Sequence, residues 1–246
     1  MALILLNLIL IDNPIQQKGR AMRKQQQGFT LIEIAIVLVI IGLLLGGVLK
    51  GQELIQNARV RNIIAQQDST KAAYFGFLDR YRGAPGDIIP ATALANIPAA
   101  PGVANCGGNG NSLIETDVES ACAWSHLSRA GFVTGNYSGA LVGGNFDLTN
   151  SPSNPFGGLV QLIFDAEFAD NVALNVAVNA RLNVKTGTNI PATVLAEVDR
   201  KIDDGLPASG SFVFSDWQGS VPGTCVAAPN WAIAAGATVC GGATLF

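Results

Sequence analysis

The sequence predicts an α+β protein in which a long N-terminal α-helix, membrane-spanning in its first half, packs against an antiparallel β-sheet head. Three stretches predict it. Phe29 to Leu49 is an apolar run with Glu33 as its one charged residue, and as a helix it covers about 30 Å, the thickness of a bilayer core. Val60, Ile63, Ile64, Tyr74, Leu78 and Tyr81 then fall on one helical face, with Arg59, Arg61, Gln66, Asp68, Ser69, Asp79 and Arg80 mostly elsewhere and Gln67 and Lys71 interrupting the stripe. Val172, Leu174, Val176, Val178, Ala180, Leu182 and Val184 alternate with Asn175, Asn179, Arg181, Asn183 and Lys185, the period of a strand with one buried and one wet face. Five segments follow: a leader over 1–28, the membrane helix over 29–50, its amphipathic continuation over 51–82, a loop-rich connection over 83–130, and the sheet head over 131–246.

Within the leader, residues 2–11 are apolar but too short to span a bilayer, and no basic flank precedes them. Met22 opens a second, compact leader, Met22-Arg23-Lys24-Gln25-Gln26-Gln27-Gly28, that ends directly before the apolar run. Translation is expected to start at Met22, with residues 1–21 as an upstream extension. Lys18, Arg20, Arg23 and Lys24 against Asp12 leave residues 1–28 at +3, so the chain's net −3 puts the remainder at −6. An acidic remainder argues against a large nucleic-acid-binding surface, although Arg59, Arg61, Lys71, Arg80 and Arg82 on the helix leave contact with DNA open. The basic leader keeps the N-terminus cytoplasmic and exports everything after Leu49 to a compartment where disulfides form. Cys106, Cys122, Cys225 and Cys240 all lie in that exported part, with no Cys-x-x-Cys pair and His126 as the single histidine, which is not a zinc pattern. Three connectivities are open to them; the sequence-local pairs Cys106–Cys122 and Cys225–Cys240 are favoured, and sequence alone does not decide.

The basic leader, Gly28 before Phe29, the run Thr30-Leu31-Ile32-Glu33 and the long apolar helix resemble the prepilin signature shared by type IV pilins and type II secretion pseudopilins. The resemblance is close from Met22 to about Leu49 and architectural beyond. It implies cleavage between Gly28 and Phe29 on the cytoplasmic face by a prepilin peptidase, and N-methylation of the new Phe29 terminus. It implies a single-pass bacterial inner-membrane protein with a periplasmic head. It also implies assembly at an inner-membrane platform, with copies of itself or other pilins or pseudopilins, into a periplasmic or cell-surface filament whose core is the segment 29–50. Such a subunit performs no chemistry and needs no cofactor. Gly28 gives a protease unhindered backbone access, and the amine liberated at Phe29 stays cationic after one methylation. An acid in lipid costs a few kcal/mol unless it is paired, so the natural partner of Glu33 is the Phe29 amine of an adjacent subunit. Thr30-x-x-Glu33 also has capping-box spacing, and the two roles can coexist.

The competing class is a signal-anchored periplasmic enzyme or ligand-binding module that does not polymerise. The sequence contains no nucleophile, base and orienter constellation and no Gly-rich phosphate loop after a strand. Helices of the resembled family often carry a proline midway. Here none occurs between Phe29 and Pro85, and Gly42, Gly46, Gly47 and Gly51 cluster instead, at a spacing that permits close helix contact.

The long helix is expected to run to Arg82, about 80 Å, and to stop at Gly83-Ala84-Pro85-Gly86. Residues 83–130 read as a connecting loop with short helical pieces, one of them Ala121 to Arg129 with Trp124 and His126, which is expected to be structural or exposed and is assigned no chemistry. Phe132 to Leu148 and Leu159 to Phe164 are weaker strand candidates. Pro191 as a first-turn residue, then Val194, Leu195, Val198 and Ile202, predict a short amphipathic helix ending at Gly205. Phe212-Val213-Phe214 and Trp231-Ala232-Ile233 are expected to return to the sheet. Asp199, Asp203 and Asp204 are a weak calcium candidate: three carboxylates lie near a turn, but Arg200 and Lys201 separate them and the spacing is not an EF-hand loop. A solvated helix end is the expectation there. The Cys225 to Cys240 segment around Trp231 resembles the disulfide-bounded C-terminal region of pilins.

Overall fold

A computed structural model describes residues 30–98, 106–168 and 178–246. The elements are α1 (Leu31–Tyr81), α2 (Pro90–Asn96), α3 (Asp117–Arg129), β1 (Gln161–Asp165), β2 (Arg181–Lys185), α4 (Ala192–Ile202), β3 (Phe212–Ser215), β4 (Val226–Ala227), β5 (Asn230–Trp231) and β6 (Gly241–Leu245). Contacts divide the chain into two units, parting between Leu49 and Lys50.

In the first unit, residues 31–49 of α1 are exposed without exception, Leu, Ile and Val included. A Cβ placed on Gly42, Gly46 or Gly47 would meet nothing within 4 Å. Among the described residues this stretch has no partner to bury its apolar surface against, and it is long and apolar enough to serve as a single-pass membrane anchor.

In the second unit α1 becomes amphipathic. Val60, Ile63, Gln67, Thr70, Ala73, Tyr74 and Phe77 recur every three or four residues and turn inward. Gln67 lies within the stripe it was expected to interrupt: it is 1% exposed and neither end of its amide finds a partner among the described residues. The helix ends at Tyr81, because Arg82 takes a left-handed conformation (φ 54°) while its N–H still reaches the Leu78 carbonyl. Gly86 (φ 84°) then brings the backbone against α3, where a Cβ would strike the Glu119 carbonyl and Ala123.

The sheet is antiparallel throughout, in the order β1-β2-β6-β3. Its register sets Leu162 opposite Val184, Lys185 opposite Ala243, and Val213 opposite Ala243. Leu162 and Val184 face Tyr74 and Phe77 of α1 and Trp124 and Leu127 of α3. Phe212 and Phe214 join Val60, Ile63, Leu195, Val198 and Trp231 in a second cluster. The opposite face is also covered, by Phe168 and Val178 over Val213, Ala243 and Leu245.

The wet face expected along Asn175 to Lys185 holds at Asn179 and Arg181, which are exposed, and is corrected at Asn183 and Lys185, both 0% exposed. Residues 172–177 of the expected strand lie outside the described residues; within them the strand is Arg181–Lys185. Phe132 to Leu148 is not a strand. Positive φ at Gly135, Gly139, Gly143 and Gly144 breaks it into turns, with an isolated bridge between Val142 and Asn145. Pro191 caps α4 from outside instead of occupying its first turn. Trp231 pairs with Val226 in the small β4–β5 ribbon, and Ile233 leaves it in a 3-10 turn. The strand that completes the main sheet is β6, Gly241-Gly242-Ala243-Thr244-Leu245, whose glycines hide it from any β-propensity reading. Gly242 is required, because a Cβ there would strike the Phe212 ring.

Candidate functional site

At the start of α1, Thr30 and Glu33 cap the helix reciprocally. The Thr30 N–H and Oγ1–H both donate to Glu33 Oε2 at 2.9 Å, and the Glu33 N–H donates to Thr30 Oγ1 at 3.3 Å. The capping box therefore exists in the single chain, where Glu33 is exposed. Gly28 and Phe29 lie outside the described residues.

Cys106 is bonded to Cys122, and Cys225 to Cys240. Beside the first disulfide, His126 is 1% exposed and its ring lies parallel to that of Phe77, with centroids 6.1 Å apart. Its Nδ1 accepts from the Gly86 N–H at 3.0 Å, so the ring proton sits on Nε2, which faces Cys122 Sγ at 3.4 Å and Cys106 Sγ at 3.8 Å. Burial holds the His126 pKa down at about 4, and the Arg129 charge adds to the depression. Cys106, Cys122 and His126 are close enough to hold a metal ion. They do not fit one, since both sulfurs are in a disulfide and the nitrogen facing them carries the proton.

Asp199, Asp203 and Asp204 do converge; Asp203 and Asp204 are exposed, as at a solvated helix end, but Asp199 is not. Asp199 is 0% exposed; its Oδ2 accepts from Trp231 Nε1 at 2.6 Å and its Oδ1 from the Gly205 N–H at 3.1 Å. Asp203 accepts from the Phe212 N–H at 3.0 Å, the Asp204 N–H at 2.8 Å, and the Ser211 N–H and Oγ–H. Asp204 accepts from the Leu206 N–H at 2.9 Å and Ser209 Oγ at 2.6 Å. Burial first, and the hydrogen bond and charge of Asp203 next, push Asp199 up to about 7. Burial also pushes on Asp203, but its bonds from Asp199 and from the N–H groups of Phe212, Ser211 and Asp204 outweigh it and hold it below the usual carboxylate range. The proton thus stays on Asp199. These carboxylates are occupied by protein donors that tie α4 to β3 and to Trp231 in the Cys225–Cys240 loop.

Two groups had no sequence signal. Lys185, 0% exposed, places its Nζ 2.5 Å from Asp165 Oδ2 and 3.4 Å from Glu167 Oε2. Asp87, 1% exposed, accepts from the Gly110 and Ser112 N–H groups at 3.0 and 2.5 Å and so anchors the loop after Cys106. Alternation marked Lys185 as exposed, and nothing local marks an aspartate for burial.

A long N-terminal helix that is bare and apolar first, and then packs under an antiparallel sheet, is a pilin-like layout. A family model described as the prokaryotic N-terminal methylation motif matches residues 23–49. The chain therefore carries the signature of type IV prepilins and pseudopilins. No curated protein and no solved structure matches the chain.

Proposed function

We propose that this chain is a structural subunit of a type IV pilus or a type II secretion pseudopilus. A prepilin peptidase cuts between Gly28 and Phe29 and methylates the new terminus. The apolar half of α1 holds the subunit in the inner membrane with its head outside the cytoplasm. Subunits then leave the bilayer as a filament built with copies of this chain or with related pilins. One observation carries the reading: the methylation motif over residues 23–49 runs directly into a helix with no side chain buried between Leu31 and Leu49, within which Glu33 is the only ionisable group. That surface needs either lipid or neighbouring helices. Packing against neighbours would set Glu33 beside the cationic terminus of the next subunit, a pairing that fixes register more than it adds stability. The capping bonds from Thr30 orient the carboxylate and hold the helix start rigid.

Co-expression with a prepilin peptidase tests the first step: the mature product should begin at a methylated Phe29 by intact mass and terminal peptide sequencing. Glu33→Val should be cleaved at close to the native rate yet be recovered from the membrane fraction and not from sheared filaments. Normal incorporation of that variant into filaments would overturn the pairing.

A further inference from the structure

We propose that the Cys106–Cys122 disulfide is a thiol–disulfide exchange site, opened in the folded head by a dithiol protein of the thioredoxin-like class that attacks Cys106 and displaces Cys122 onto His126. Three observations carry it. Cys106 is the only one of the four cysteines that is not fully buried, Cys122, Cys225 and Cys240 being 0% exposed, so of the four sulfurs its own is the one placed for attack from outside. The leaving sulfur has a partner in place. With Nδ1 occupied by the Gly86 N–H, His126 directs Nε2–H at Cys122 Sγ from 3.4 Å, and a donor at that distance is worth more to a thiolate than to a disulfide sulfur. The charge of Arg129 also acts on His126.

The third observation is that the loop does not depend on the bond. Asp87 holds Gly110 and Ser112, and the capping box of α3 holds the chain at Thr116 and Glu119, so the bond opens without unfolding the head. Cys225–Cys240 differs on each point. Both of its sulfurs are buried, the neighbours of Cys225 Sγ are the Val239 carbonyl at 3.5 Å and the Thr224 hydroxyl at 3.8 Å, and Cys240 is bridged to Ile190 directly before β6.

The exchange is a two-electron transfer. A thiolate of the partner attacks Cys106 Sγ, the bond to Cys122 breaks, and the electron pair leaves on Cys122 Sγ, which accepts the hydrogen bond from His126 Nε2. The partner's second thiolate attacks its own sulfur in the mixed disulfide and releases Cys106, which takes a proton from water. The partner ends as a disulfide and this chain as a thiol and a thiolate.

The test is native-state reduction of the full chain in detergent by dithiothreitol, quenched by alkylation and read by peptide mass. Cys106–Cys122 should open at least ~10-fold faster than Cys225–Cys240, and the two rates should converge in concentrated guanidinium. His126→Phe, which keeps the stack on Phe77, should slow the native opening by about 10-fold and leave the denatured rate unchanged, with Arg129→Gln slowing it less. A thioredoxin-like protein whose second cysteine is replaced by serine should be trapped on Cys106. Equal native rates for the two disulfides, an unslowed His126→Phe, or trapping on any other cysteine would each overturn the assignment. If His126→Phe does not fold, the native-to-denatured rate ratio of the wild type and the trapped position decide it alone.

Discussion

Buried Asp199, beside the exposed Asp203, makes the stability of the head depend on pH in a direction opposite to that of a paired surface carboxylate. In the unfolded chain Asp199 titrates at its ordinary 3.8, whereas in the folded head it is held up at about 7. Between those values the unfolded state has lost a proton that the folded state keeps, so folding stability falls as pH rises from about 4 to about 7 and then levels. Roughly three pK units at about 1.4 kcal/mol each set an upper bound near 4 kcal/mol for the loss. Asp203 works in another window: its folded pKa is depressed, so its contribution is present above 3.8 and is lost below it. Asp199→Asn removes the titration. Asparagine cannot accept from both Trp231 Nε1 and the Gly205 N–H, so the variant's whole curve shifts down by about 1 kcal/mol, and the slope is therefore the observable. Urea unfolding of the full chain in detergent, followed by tryptophan fluorescence from pH 4 to 8 in the presence of a chelator, gives both curves. The wild type minus the variant should fall across pH 4–7. A flat or rising difference refutes the proton-sharing pair, and a wild-type gain at pH 8 on adding calcium would show that a cation takes the proton's place.

Lys185 and Asp165 should respond unequally. Asp165→Ala leaves a fully buried ammonium with only the exposed Glu167 and should cost ~3 kcal/mol in the same unfolding assay, while Lys185→Met should fall within about 1 kcal/mol of wild type. Equal losses would mean that the amine has another partner. Phe77→Ala, at a 0% exposed position between α1, α3 and the sheet, should cost roughly 3–5 kcal/mol by denaturant midpoint, and a loss below ~1 kcal/mol would contradict its place in the core.

The parts of this molecule that sequence displays are those governed by local periodicity. The bare apolar helix, the inward face of its continuation, the helix across Val194 to Ile202 and the Phe212 strand all follow from spacing alone. What it hides depends on distant chain. Whether the second face of β2 is wet depends on the neighbouring strand, where Asp165 takes hydrogen bonds from both Asn183 and Lys185, so alternation placed Lys185 and Asn183 in water when they are buried. Glycine-rich β6 becomes a strand because β2 and β3 leave a slot between them, not through propensity. Two features of the sites were visible as patterns without a settled meaning: Thr30-x-x-Glu33 forms a capping box, and the three aspartates near Gly205 do gather, but around N–H donors. His126 showed nothing beyond its solitude, because its neighbours come from Gly86, Phe77 and a loop twenty residues upstream.

The place of β6 in the sheet also sets a timetable. β1 and β2 can pair as soon as both exist, but among the described residues β3 has β6 as its sole strand neighbour, and β6 joins β3 to β2 from far along the chain, Lys185 to Gly241. A chain made from its N-terminus has its long helix complete while the head still lacks its central strand. Until residues 241–245 emerge, Phe212 and Phe214 have no completed sheet to shield them, and the half-built head presents two open strand edges to whatever is nearby. The strand that closes the sheet thus comes last among the described strands, and the two halves of the head are joined only through it.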